Sequence, residues 1–151
     1  MAENDPKIIK FTITRLLASR EHSQHELLNK LLQRKFDRQL CIEWIEKFRQ
    51  KNLQSDSRFA GLLVRIRTNK GIGESRIRNE LKEHRISQDI IDAAIQEEDI
   101  DWFELALQVF EKKFANTAEV DWKGQQKQQR FMYYRGFSQE QIKYATESTK
   151  K

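Results

Sequence analysis

The chain has 151 residues, of which 38% are apolar and 34% are charged, and its formal net charge is +5. This length fits one domain or one continuous array, and a charged fraction well above the usual ~25% argues against a thick compact core. No apolar run approaches the ~20 residues that cross a bilayer, and the acidic segment 1–6 does not resemble a signal peptide. We therefore expect a cytoplasmic protein without a membrane partner, whose basic surface suits phosphates or an acidic protein.

Apolar residues at three- and four-residue spacing, with only five Gly and one Pro, predict an all-α protein. The first three predicted helices are marked by Phe11, Leu16, Leu17 and Ala18, then Leu27, Leu28, Leu31 and Leu32, then Cys41, Ile42, Ile45 and Phe48. Ser23 with Glu26 forms a capping-box pattern, and Asp37 is a good N-cap for the third helix. Cys41, the single cysteine, lies between apolar neighbours and is predicted to be buried.

A longer pattern repeats at a period of roughly 50 residues. Segments 31–37, 81–87 and 132–138 each contain a helix end, a turn with a basic residue, an apolar anchor and a new N-cap. Short helical units that cannot bury their own apolar faces stack on their neighbours. We predict three tandem three-helix repeats, 1–54, 55–99 and 100–151, in an elongated, curved array. The alternative is the weak self-similarity of any chain of regular helices.

The sequence offers little for catalysis or metal binding. His22 and His25 supply two ligands at most, with no further His or Cys at a suitable spacing, so we interpret them as part of a solvated helix start. No nucleophile pattern and no phosphate-binding loop is present. The Gly71-Ile72-Gly73 segment lacks a third spaced glycine and is interpreted as a turn between helices. We expect no catalytic residue, no metal and no cofactor.

Two basic clusters are the candidate partner-binding residues. The first, the basic turn, surrounds the two glycines and consists of Arg65, Arg67, Lys70, Arg76 and Arg78. The helix that begins near Glu74 adds its positive end, which favours an anion-binding face. The alternative is a solvated face with ion pairs at i,i+4 spacing, Glu74 with Arg78 and Arg76 with Glu80.

The second cluster consists of Lys127, Arg130 and Arg135, with Lys123 before them and Phe131, Tyr133 and Tyr134 interleaved. Aromatic side chains among cations can stack on nucleic-acid bases. At helical spacing, however, such aromatics are more typical of a core.

Four blocks in order resemble signatures of the RecX family over nearly the whole chain. They are the central block of segments 55–60, 65–67, 70–73 and 76–81, and the further blocks 20–27, 99–102 and 129–137. The family often has glycine where Arg85 stands. Phe59, Ile77 and Leu81 are interpreted as core positions within the resemblance.

The resemblance implies three three-helix repeats that lie in the groove of the RecA filament, bridge its subunits and impede its ATPase, strand-exchange and coprotease activities. It further implies a role in DNA repair, recombination and the SOS response, and binding to single- or double-stranded DNA. A monomer without enzymatic activity is expected. The competing hypothesis is a stand-alone nucleic-acid-binding protein that competes with RecA for DNA.

Overall fold

The computed structural model describes residues 5–114 and 120–149, and these form helices without any strand. The helices are α1 (Pro6–Ser19), α2 (Gln24–Gln33), α3 (Arg38–Gln50), α4 (Asp56–Asn69), α5 (Glu74–Glu83), α6 (Gln88–Glu98), α7 (Trp102–Phe114), α8 (Trp122–Tyr134) and α9 (Gln139–Thr149). The all-α prediction is confirmed. Among the described helices, none combines the length and the apolar character needed to cross a bilayer.

The two predicted N-caps are present. The hydroxyl of Ser23 accepts a hydrogen bond from the backbone N–H of Glu26 at 3.0 Å, and the carboxylate of Asp37 accepts one from Leu40 at 3.1 Å. Each bond satisfies a backbone donor that the first turn of a helix leaves without a partner. These local signals therefore define the starts of α2 and α3.

A common C-terminal cap closes α2, α5 and α8. Left-handed backbone angles occur at Lys35, Arg85 and Gly136, with φ of 68°, 60° and 102°. The buried residues that follow them, Phe36, Ile86 and Phe137, donate their N–H groups to carbonyls five residues back, at 3.3, 3.1 and 3.3 Å. This is the Schellman arrangement, in which glycine is the least strained residue at the left-handed position. The turn at Arg85 thus keeps the cap geometry without a glycine.

The chain divides into two compact units, Met1–Leu62 with Leu81–Ala94, and Leu63–Glu80 with Ile95–Lys151. The division passes through α4, α5 and α6, so that each of these helices contributes to both units. The repeat boundaries after residues 54 and 99 stay a prediction.

The core of the first unit lies between α1, α2 and α3. Its fully enclosed members include Ile9, Ile13, Leu27, Leu31 and Cys41. The predicted burial of Cys41 is confirmed, and burial raises the pKa of its thiol. The helix markers Phe11 and Ile42, in contrast, lie on the solvent side of their helices, 61% and 42% exposed.

The core of the second unit lies between α7, α8 and α9, where Ala106, Phe110, Met132, Phe137, Ile142 and Ala145 pack together. Helix α8 is unusual because Met132 is its one fully buried residue.

The core assignments made with the family resemblance are confirmed, since Phe59, Ile77 and Leu81 are 5%, 0% and 0% exposed.

The interpretation of His22 as part of a solvated helix start is wrong. The side chain is 1% exposed, and its Nδ1 lies 3.0 Å from the carbonyl oxygen of Arg20. The amide of Gln54, also buried, donates to the carbonyl of His22 at 3.1 Å. Because the segment that joins α3 to α4 covers the loop between α1 and α2, His22 loses its contact with water. Its burial lowers the pKa of the imidazole.

Candidate partner-binding surface

The basic turn joins α4 to α5 within the second unit. Gly71 has φ of +78°, and the N–H of Ile72 donates to the carbonyl of Arg67 at 3.0 Å. Helix α5 then begins at Glu74, as expected. The prediction of a turn between two helices is confirmed, and glycine suits the left-handed backbone angle at residue 71 because it has no Cβ.

Three of the five cations around the turn form ion pairs inside the protein. Arg65 contacts Glu98 at 2.5 Å, Arg67 contacts Glu80 at 2.8 Å, and Arg78 contacts Glu74 at 2.8 Å. Of the two pairs expected from i,i+4 spacing, Glu74 with Arg78 is confirmed, whereas Glu80 pairs with Arg67 and the expected pair with Arg76 is wrong. The pairs of Arg65 and Arg67 join separate helices, so that spacing along the chain did not indicate them.

Of these three arginines, Arg67 has the most extensively bonded guanidinium. Its Nε and Nη2 both donate to the carboxylate of Glu80, at 2.9 and 2.8 Å, and these bonds raise the pKa of the guanidinium. Two parallel bonds from one guanidinium fix its orientation as well as its charge. Arg67 therefore fastens α4 to α5, and its charge is largely balanced.

Lys70 and Arg76 differ from the other three. Both side chains are exposed, and within residues 5–114 and 120–149 no carboxylate lies at ion-pair distance from either of them. Nη1 of Arg76 donates to the carbonyl of Tyr134 at 3.4 Å, but no carboxylate of the described residues balances either charge, so both charges are available to an outside partner. Of the five predicted contact residues of the basic turn, these two have the geometry best suited to recognition.

The basic turn packs directly against the turn between α8 and α9. The N–H of Gly73 donates to the carbonyl of Arg135 at 2.7 Å, and the hydroxyl of Ser75 donates to the carbonyl of Gly136 at 2.9 Å. Nη1 of Arg135 donates to the carbonyl of Lys70 at 2.9 Å. The structure thus brings together Arg135 of the second cluster and the basic turn.

This junction depends on two glycines that face each other. A Cβ built on Gly73 would lie 2.5 Å from the carbonyl carbon of Gly136, and one on Gly136 would lie 2.7 Å from Cβ of Arg76. Real Cβ atoms do not approach other atoms so closely, so both positions require glycine. Sequence reasoning identified each turn but not their contact; a glycine in each turn was the only available signal.

The second cluster separates into a structural cation and two exposed ones. The guanidinium of Arg135 lies over the ring of Phe131, 5.1 Å from its centroid, in addition to its hydrogen bond to Lys70. Lys127 and Arg130 lie exposed on α8, and no carboxylate of the described residues pairs with either. Arg135 is therefore a positioning residue of the junction, whereas Lys127 and Arg130 can meet a ligand.

The expectation that the aromatics of α8 form core is wrong for two of the three. Tyr133 and Tyr134 are 64% and 71% exposed, while Phe131 is half-buried and packs against the core of the second unit. Because α8 buries little beyond Met132, its C-terminal turn leaves both tyrosines on the surface.

Two grooves flank these residues in the second unit. One, of about 810 Å³, contains Lys70, Lys112, Lys113 and Arg135 together with Asp99, Asp101 and Glu104. The other, of about 670 Å³, lies between α8 and α9 and includes Arg130, Tyr133 and Tyr134. Within the described part of the chain, no group of three His, Cys, Asp or Glu side chains is placed to hold a metal ion.

Models of protein-family domains and the sequences of related proteins match this chain over most of its length. The model of the second three-helix domain of RecX matches residues 55–95, and that of the third three-helix domain matches residues 99–146. A regulatory protein RecX of Vibrio campbellii is 44% identical over 86% of this chain and 84% of its own length. One of Pseudomonas entomophila is 35% identical over 91% of this chain and 88% of its own.

Solved structures agree in fold. The crystal structure of RecX from Lactobacillus salivarius superposes with a TM-score of 0.81 at 19% identity, covering 96% of both chains. A second crystal structure, of a regulatory protein RecX, gives a TM-score of 0.81 at 21% identity over 94% of this chain and 73% of that one. These likenesses define the class as an all-helical repeat protein. The sequence relationships are closer still, and the chain belongs to the RecX family of regulatory proteins.

Proposed function

We propose that this protein binds the RecA recombinase filament and restrains it. It would lie in the groove of the filament, bridge neighbouring subunits and inhibit the ATPase, strand-exchange and coprotease activities. In this way it would modulate DNA repair and recombination in the SOS response, acting in the cytoplasm as a monomer without a catalytic residue or cofactor of its own. The observation that carries the proposal is 44% identity, over 86% of the chain, to a regulatory protein RecX.

A binding protein needs no chemistry to inhibit such a filament. If it fits one arrangement of neighbouring subunits better than the arrangement required for turnover, its differential affinity biases the filament toward the first. A surface with cations that no carboxylate of the described residues balances supports this mechanism, because such charges steer association and select a partner of opposite sign. Lys70 and Arg76 are the contact residues that we propose for the basic turn.

The proposal is tested with a charge-reversed variant, Lys70→Glu with Arg76→Glu. Arg67 is left unchanged because a glutamate there would face Glu80 and disturb the fold. The variant should inhibit the DNA-dependent ATPase of RecA at least about tenfold more weakly than the parent, mainly through slower association.

The matched control is Lys7→Glu with Arg38→Glu. Both residues are exposed in the first turns of α1 and α3, and the pair makes the same change of net charge. This control should inhibit as the parent does. Equal inhibition by the Lys70/Arg76 variant and the parent would contradict the assignment of the basic turn.

The second candidate function is a nucleic-acid-binding protein that competes with RecA for DNA, supported by the exposed tyrosines and cations of α8. The two candidates differ in what relieves inhibition. A competitor should lose its effect when more DNA is supplied, whereas a filament binder should saturate in proportion to RecA subunits at fixed DNA.

A further inference from the structure

The larger groove of the second unit, of about 810 Å³, carries charges of opposite sign at its two ends. It runs along α7, and the turn between α4 and α5 and the C-terminal end of α8 form its other sides. The carboxylates of Asp99, Asp101 and Glu104 lie at the start of α7 or just before it, whereas Lys112 and Lys113 belong to its last turn. We call this surface the α7 groove.

The charges of the α7 groove do not neutralise one another. Eight residues of helix separate Glu104 from Lys112, which is a rise of about 12 Å. Lys70 adds a cation from the turn between α4 and α5. All these charged side chains are exposed, and none of them forms an ion pair with another residue that the structure describes. Both signs of charge are therefore open to an outside partner.

An apolar strip lies between the charged ends. Ile100, Leu105, Val109 and Phe131 line the groove and are half-buried. The turn between α4 and α5 lies against the middle of α7, since a Cβ built on Gly71 would be 2.8 Å from Cγ2 of Val109. Apolar surface of this kind contributes to binding when a partner covers it.

The dipole of α7 explains only part of this pattern. Acidic residues at the start of a helix and basic residues at its end stabilise the helix. Asp101 also acts as a cap, because its Oδ1 accepts a hydrogen bond from the backbone N–H of Glu104 at 3.0 Å. Lys70, however, belongs to another element, and a helix dipole does not require an apolar strip between the charges.

We propose that the α7 groove binds a protein segment whose charges have the complementary order. A basic side chain of the segment contacts the carboxylates at the start of α7, and an acidic side chain about 12 Å away contacts Lys70 and Lys112. In an extended segment this separation spans about four residues, whose apolar side chains cover the strip. This assignment rests on the proposed function, since the segment belongs to a subunit of the filament.

The charges of the groove favour a protein segment over nucleic acid. A nucleic acid carries negative charge at every phosphate, so a strand along the groove would place phosphates beside the carboxylates of Asp101 and Glu104. Like charges that meet in an interface reject a partner. A protein segment can carry both signs and thus match both ends.

The test is a substitution that affects the groove and general attraction in opposite directions. Glu104→Lys makes the protein more basic by two charges, so general attraction to an anionic filament would strengthen binding. In the α7 groove, the new cation meets the basic side chain of the segment, and binding should weaken about tenfold. Co-sedimentation with RecA filaments, formed on DNA with a nucleotide analogue that is not hydrolysed, measures the affinity of variant and parent.

The matched control is Glu111→Lys. Glu111 is an exposed residue of the same helix that does not line the groove, and its replacement makes the same change of net charge. This variant should bind the filament at least as tightly as the parent.

A second variant separates binding from folding. A lysine near the positive end of α7 can weaken the helix, so circular dichroism at the assay temperature checks that Glu104→Lys is folded. Glu104→Gln keeps the size of the side chain and disturbs the helix less. It should still weaken binding about threefold, because one charged contact is lost.

Three outcomes would overturn the inference while the parent binds the filament. One is binding of both Glu104 variants as tight as that of the parent. Another is tighter binding of Glu104→Lys to the filament and to DNA without RecA, which would indicate nucleic acid in the groove. The third is a dimer of the parent that Glu104→Lys abolishes, which would make a second copy the occupant. A parent that does not bind the filament would instead contradict the proposed function, and with it the filament as the source of the segment.

Discussion

At the scale of single residues, the contact between Gly73 and Gly136 determines how the two turns of the second unit meet. The peptide of Gly136 lies against the backbone of Gly73, and its φ of +102° suits no residue with a side chain. Arg135 then reinforces the contact through the carbonyl of Lys70. The partner contact that we propose for Lys70 and Arg76 depends on this junction.

We predict that Gly136→Ala lowers the free energy of unfolding by about 2–4 kcal/mol. The new Cβ meets both an unfavourable backbone angle and Cβ of Arg76 at 2.7 Å. At the equivalent cap of α5, Arg85→Gly should do the opposite and stabilise by about 0.5–1 kcal/mol, because it relieves a left-handed arginine. Urea unfolding measures both; destabilisation by Arg85→Gly would contradict this account of the caps.

The buried histidine predicts a dependence of stability on pH. The carbonyl of Arg20 can only accept, so Nδ1 of His22 carries the proton, and Nε2 is a buried atom with no partner among the described residues. A second proton would place a charge in this enclosed site. Burial accordingly lowers the pKa of His22 below its usual 6.5 in the folded state.

The unfolded chain therefore takes up more protons than the folded one as pH falls through about 6.5. The contribution of His22 to the free energy of unfolding is therefore fully present above that pH and decreases below it. When the pH is lowered from about 7.5 to 5.5, the urea midpoint of the parent should fall. The midpoint of His22→Gln should fall less. Equal slopes for the parent and His22→Gln would contradict the assignment.

At the scale of elements, the helices and their caps followed from sequence. Ser23 and Asp37 act as predicted, and the three aligned turns share one backbone cap. Each of these features depends on residues only a few positions apart, and such interactions are encoded locally.

Features that depend on the packing of helices were not predictable in the same way. The bonds from Arg67 to Glu80 and from Arg65 to Glu98 require α4 to lie beside helices distant in sequence. The exposure of Tyr133 has the same origin, since helical spacing identifies a face but not what covers it. Lys70 and Arg76 differ from the other cations of the basic turn because the charges of Arg65, Arg67 and Arg78 are paired with carboxylates, and the sequence did not reveal two of those pairs.

A substitution in helix α5 measures how much the buried core contributes to the free energy of unfolding. Leu81 is completely buried, so Leu81→Ala should cost about 2–5 kcal/mol of unfolding free energy through lost contacts and a cavity. Leu53, 54% exposed after α3, is the matched position, and Leu53→Ala should cost less than about 1 kcal/mol. Chemical denaturation distinguishes them. Equal costs would show that Leu81 does not hold a core.

At the scale of the whole molecule, the two predicted basic clusters meet within the second unit. Nη1 of Arg76, in the basic turn, donates to the carbonyl of Tyr134 at the end of α8, at 3.4 Å. The three-repeat organisation with boundaries after residues 54 and 99 remains a prediction.

The central claim is that this member of the RecX family binds the RecA filament itself. Co-sedimentation with RecA filaments, formed on DNA with a nucleotide analogue that is not hydrolysed, measures this directly. We expect the protein to enter the pellet and, at fixed DNA, the bound amount to rise in proportion to RecA until saturation. A bound amount that follows the DNA and does not change with RecA, or a protein that stays in the supernatant, would contradict the claim.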